Sequence, residues 1–98
     1  MTEFKDEFTL EMGYTREEFI RSFSSLADGQ PYQSSQDRIH LNEAKRQLLI
    51  KLGEDQNRQI ASLIIPKIQV TFLFSGYSKE EKSYFMKKFR RYYHKGGG

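Results

Sequence analysis

Two histidines, two pairs of adjacent glutamates, a basic stretch near the C-terminus and a closing run of three glycines are the residues here with a claim to chemistry. His40 and His94 are the only side chains that titrate near neutrality unaided. A general acid and base must reach a common proton. The pattern puts His40 on the solvent side of a strand and His94 in the last turn of a helix, so nothing brings them together. Glu17-Glu18 and Glu80-Glu81 each sit at a helix start, where capping and the helix dipole account for both carboxylates. The sequence has no metal-ligand spacing, phosphate-binding glycine loop or nucleophile elbow. With no cysteine, it has neither disulfides nor thiol nucleophiles. The expectation is a non-enzymatic protein with no catalytic residue, cofactor or metal.

What remains is binding chemistry. Residues 79–98 carry seven Lys/Arg against two Glu, whereas residues 1–78 carry nine against eleven acids. The excess of cations is therefore confined to the last helix and tail. Lys87, Lys88, Arg90, Arg91 and Lys95 form a candidate surface for an anionic partner, with Phe85, Tyr92 or Tyr93 able to stack on bases. The bland alternative is a solvated helix face around a buried aromatic stripe. Gly96, Gly97 and Gly98 form a candidate tail with three readings. One is a frayed end after a helix cap; another is a peptide whose terminal carboxylate a partner captures. The third is a Gly-Gly carrier end, which a preceding helix makes a poor match because carriers lead into the tail with an extended strand.

These residues need a scaffold, and 98 residues with 37% apolar and 14% aromatic composition suffice for one modest core. We read residues 1–95 as a single α+β domain and residues 96–98 as a flexible tail. No apolar run approaches the ~20 residues of a spanning helix, and the acidic N-terminus lacks a signal-peptide pattern. A cytoplasmic protein without a membrane partner is expected.

Phe8, Leu10 and Met12 alternate as in a half-buried strand. Thr15 and Glu18 then form a capping box, with Tyr14 and Phe19 placed as a hydrophobic staple. Phe19, Ile20, Phe23, Leu26 and Ala27 share one helical face, and Asp28-Gly29 ends the helix. A polar loop is predicted over 30–36. Four strands follow, joined by a short turn at Glu43-Ala44, a loop over 54–57 and a two-residue turn at Pro66-Lys67. This arrangement brings Leu52 near Gln59 and sets Ile50 opposite Ala61, Leu48 opposite Leu63, Leu63 opposite Val70 and Ile65 opposite Ile68. Ile39, Leu41, Leu48, Ile50, Leu52, Leu63, Ile65, Ile68, Val70, Phe72 and Phe74 then all face one side. Leu49, Ile60, Ile64 and Leu73 face the other, with Ile60 across from Leu73, as a candidate interface. Ser78 and Glu81 open a second capped helix that buries Phe85, Met86, Phe89 and Tyr92 or Tyr93.

The order is β-α-β-β-β-β-α: a two-layer sandwich with a five-stranded antiparallel sheet and both helices on one face. It resembles the TATA-binding-protein-like topology, which implies a first strand beside the last and carries no function. The run Pro66-x-Ile68-x-Val70-x-Phe72-x-Phe74-x-Gly76-Tyr77-Ser78, together with the closing glycines, resembles a family of small proteobacterial proteins. That resemblance implies only that the glycines are native. The functional expectation is a small binding or adaptor protein that contacts another protein, or a second copy of itself, through the outer sheet face. Nucleic-acid binding by the basic helix is the alternative, and a C-terminal carrier the third.

Overall fold

The computed structural model of the chain describes residues 6–43 and 45–93. His94, Lys95 and the candidate tail Gly96, Gly97 and Gly98 lie outside the described residues, as does Ala44.

Both helices begin where the side chains demand. In α1 (Arg16–Ala27) the Thr15 hydroxyl accepts from Glu18 N–H, and the Glu18 carboxylate accepts from Thr15 N–H, each at 3.0 Å. In α2 (Lys79–Tyr92) Ser78 and Glu81 repeat the arrangement at 3.1 and 2.7 Å. Each box satisfies two amide donors that helix geometry leaves orphaned. Asp28 (φ 51) and then Gly29 (φ 84) turn the chain out of α1 in left-handed conformation.

The strands are β1 (Asp6–Met12), β2 (Gln33–Ser35), β3 (Arg38–Asn42), β4 (Gln47–Leu52), β5 (Gln56–Ile60) and β6 (Leu63–Ser75). Five of them form an antiparallel sheet in the order β1-β6-β4-β3-β2. The last strand is thus an interior one, and the first lies beside it at the sheet edge. Both helices pack on one face, over Ile39, Leu41, Leu48, Ile50, Leu52, Ile68, Val70, Phe72 and Phe74, all buried. Phe19, Phe23 and Leu26 cover this face from α1; Met86 and Phe89 cover it from α2. The two-layer α+β sandwich is as expected.

Strand pairing differs from the expected register in one far-reaching way. β6 runs unbroken through Pro66-Lys67, so no turn exists there. Leu52 pairs with Val70, Ile50 with Phe72 and Leu48 with Phe74, not with Gln59, Ala61 and Leu63. Instead β5 continues β4 along the same side of β6, pairing Gln56 with Lys67 through Ile60 with Leu63. Three residues, Gly53-Glu54-Asp55, stand opposite only Ile68 and Gln69, a one-residue bulge within a single long hairpin. Its only tight turn is Ala61-Ser62, where Ala61 takes φ 54. Leu63 and Ile65 therefore do not pair with Val70 and Ile68, and they leave the core: Leu63 is 64% exposed and Ile65 half-buried.

The physical reason is what each register puts in the middle. The expected one inserts Ala61 and Ser62 between β4 and β6, separating Ile50 from Phe72. The observed one joins those large side chains and moves the polar run Gln56-Asn57-Arg58-Gln59 outside the sheet. Pro66 is tolerated because the β1 ladder ends at Met12 opposite Ile68, so no β1–β6 pair requires a Pro66 N–H. A smaller difference is β2, three exposed polar residues on β3 where a loop is expected.

The C-terminal end of α2 is held by Tyr93, which is buried; Tyr92 is exposed. The Tyr93 ring stacks on Phe19 at 4.5 Å and meets Tyr14 edge-on at 5.4 Å, and its hydroxyl donates to the Phe19 carbonyl at 2.7 Å. Burial pushes the phenol's pKa well above its ordinary value. Tyr93→Phe keeps the rings and removes the bond, so stability should fall by about 1 kcal/mol, or about 4–8 °C in melting temperature. Thermal unfolding followed by circular dichroism measures this.

Candidate functional site

The long hairpin divides into two parts. Residues 68–75 of β6 are flanked by β1 and β4 and roofed by the helices. Residues 63–67 pair with β5 alone in a two-stranded arm about 16 Å long, whose base lies beside Gly13 at the end of β1. The molecule is accordingly long, 47 by 25 by 24 Å. Every residue of β5 is exposed, and no arm residue belongs to the core. At the tip, Ile60 (50% exposed), Leu63 (64%) and Ile64 (67%) present an aliphatic cluster on both faces of the ribbon.

The base of the arm is fixed to the body. Arg16, the first residue of α1, donates through Nε to the Gly53 carbonyl at 2.7 Å and through a terminal nitrogen to the Leu52 carbonyl at 3.1 Å. Asp55 accepts the Arg16 amide at 2.8 Å, occupying a donor at the helix start. Arg16 thus makes two hydrogen bonds to the bulge and a third to Leu52 just before it. Glu11, on β1, pairs with Arg58 at 3.3 Å and Lys67 at 3.8 Å, one from each strand of the arm. An added Cβ at Gly53 would lie 3.3 Å from that of Gln69, a tight contact that one of the two would have to relieve by a few tenths of an ångström.

This geometry splits the expected interface. Leu49 and Leu73 are a cross-strand pair on the outer sheet face, both half-buried. Ile60 and Ile64 belong to the arm tip, and Ile64 lies nine residues along β6 from Leu73, about 30 Å away. Ile60 faces Leu63 rather than Leu73. Leu63, expected in the core, completes the cluster. The signal that could have found it is the two-residue connection Ala61-Ser62 between Ile60 and Leu63, spaced like a hairpin tip but lacking the glycine or asparagine that marks one.

The second candidate surface lies on α2. Lys87, Arg90 and Arg91 are exposed and Lys88 half-exposed. Among the described residues none of the four makes an ion pair, whereas Lys82 is held by Asp6 at 2.6 Å. Phe85 is packed against the core beside Phe72 and Phe74, so it is not free to stack on a base. Tyr84, 71% exposed, takes that place, with Tyr92 at 50%.

The remaining polar groups serve the scaffold. His40 is half-buried on the outer sheet face and shares a hydrogen bond with Gln47 at 3.1 Å. Arg46 binds Glu43 at 2.5 Å and Glu81 at 2.6 Å and lies 4.7 Å over the Tyr77 ring, tying the β3–β4 turn to the start of α2. Gln30 also donates to Glu43. The hydrogen bond from Arg46 holds the Glu43 carboxyl below its usual pKa, and burial pushes the Tyr77 phenol up. Among the described residues no group of three or more His, Asp or Glu is placed to hold a metal, and no helix is long and apolar enough to cross a membrane. No family model, curated protein or solved structure matches the chain.

Proposed function

We propose that the protein is a non-enzymatic binding protein that engages a protein partner through the tip of the β5–β6 arm. The observation that carries this reading is the exposure of Ile60, Leu63 and Ile64 on a projection that contributes nothing to the core. A two-stranded hairpin is marginal alone in water, and exposed aliphatic side chains on both faces of its end are stabilised when a partner covers them. The bulge and its Arg16 clamp then have a purpose, because they aim the tip at a fixed angle to the body. Arg58 on one strand and Pro66 on the other disfavour strand addition at the arm's edges. Recognition therefore runs through side chains at the tip rather than through backbone pairing.

The test uses the full chain with a photo-crosslinking residue at Leu63, incubated in host lysate, beside the same protein carrying Ile60→Asp and Ile64→Asp. A defined adduct that drops at least tenfold in the double variant, with melting shifted by only a few degrees, is the expected outcome. Equal adducts in both proteins, or none in either, would remove the arm from consideration. Sedimentation of the two proteins distinguishes self-association: a dimer present only without the aspartates identifies the partner as a second copy.

A further inference from the structure

We propose that the outward face of α2 binds the backbone of single-stranded nucleic acid, a second activity independent of the arm. At about 100° per residue, Arg90, Lys87, Arg91 and Lys88 fan across about 160° of the helix circumference, with the exposed Tyr84 ring inside the fan. The buried Met86 and Phe89 occupy the opposite side. Elsewhere in the described chain, Arg21, Arg38, Arg46, Arg58, Lys67 and Lys82 each have a carboxylate within 4 Å, and Arg16 is held by two carbonyls; Lys45, Lys51 and Lys79 have no such partner, but only at 87–91 do four unpaired cations fall within two turns. Among the described residues these four cations have no carboxylate partner, and a polyanion would neutralise them together while releasing their counter-ions.

The helix dipole accounts for Arg90 and Arg91, which lie in the last turn. It does not account for Lys87 and Lys88, because the effect fades beyond one turn. Tyr84 decides between single and double strands. Its exposed ring offers a stacking face to an unpaired base, a contact that the internally stacked bases of a duplex do not offer. Phosphates on the cations and one or two stacked bases on Tyr84 and Tyr92 describe a short, sequence-tolerant site.

The full chain is titrated into fluorescein-labelled dT20 and followed by anisotropy. With three or four phosphates engaged, the salt slope should be about −2 to −3, so affinity should fall about 15- to 60-fold between 50 and 200 mM salt. Arg90→Glu with Arg91→Glu should abolish binding. Lys87→Gln with Lys88→Gln, which leaves the dipole interactions intact, should weaken it and flatten the slope by about 1.4. Tyr84→Ala should cost about tenfold with the slope unchanged. The arm variant Ile60→Asp/Ile64→Asp should bind as the parent does. The proposal is overturned by no binding at 50 mM salt, by binding that survives both charge substitutions, or by a duplex of equal length binding as well as dT20. Capture by phosphatidylserine vesicles without capture of dT20 would overturn it too.

Discussion

Replacing Gly76 with alanine should lower the melting temperature by about 15–30 °C, equivalent to about 3–5 kcal/mol against a total stability of about 5–15. Gly76 closes β6 at φ +77, and an added Cβ would lie 2.2 Å from the Lys45 carbonyl oxygen and 3.0 Å from the Arg46 Cα. Both are backbone atoms. Glu43 and Arg46 exchange backbone hydrogen bonds at 2.9 and 3.3 Å across the same turn, and Arg46 is anchored to Glu81, so the obstructing segment cannot withdraw alone. Gly29→Ala supplies the control: it has a similar φ of +84 and nothing within 4 Å of an added Cβ. It should cost only the left-handed strain, about 1 kcal/mol. Equal losses in the two variants would show that strain alone, not contact with the β3–β4 turn, governs Gly76.

Phe72→Ala should be nearly as damaging, at about 3–5 kcal/mol. Phe72 is fully buried in an interior strand, stacked on Phe8 at 5.0 Å and met edge-on by Phe89 at 4.9 Å and Phe85 at 6.5 Å. Strands flank it on both sides, so the void cannot be closed by moving one neighbour. Phe72→Leu should cost about 1–2 kcal/mol, since most of the volume remains. Phe8→Ala, at a half-buried position on the edge strand, should fall between them. Urea unfolding with an unchanged m-value measures these differences. A Phe72→Ala protein no weaker than Phe8→Ala would contradict the placement of Phe72 at the centre of the core.

Local chemistry made much of this fold legible in the sequence. Thr15-x-x-Glu18 and Ser78-x-x-Glu81 announced both helices because a capping box depends only on residues within one turn. Alternation picked out Ile39, Leu41, Leu48, Ile50, Leu52, Ile68, Val70, Phe72 and Phe74 as one face, and all nine are buried. Pairing was illegible where two local signals competed. Pro66-Lys67 has the composition of a turn, and the uninterrupted apolar run Leu63-Ile64-Ile65 hides which residue faces which way. Ala61, left-handed without being glycine or asparagine, gave no sign of the real turn. The bulge and the Arg16 clamp depend on contacts spanning more than 30 residues, which periodicity does not encode. The arm tip was therefore invisible as a unit, although Ile60 and Ile64 were named. The cations of α2 were legible because helical spacing alone places them; the release of Phe85 in favour of Tyr84 was not.

The position of β6 between β1 and β4 also bears on how the chain is made. Among the described residues β1 has no sheet neighbour except β6, and Asp6 pairs with Phe74. During synthesis the first strand must wait for nearly three-quarters of the chain before its backbone finds a partner. Phe8, Phe19 and Phe23 emerge from the ribosome long before Phe72 and Phe89 exist to receive them. Early segments that cannot be sheltered early are where nascent chains depend on chaperones or on rapid elongation. For this protein the last strand to be translated is the one that ends the wait.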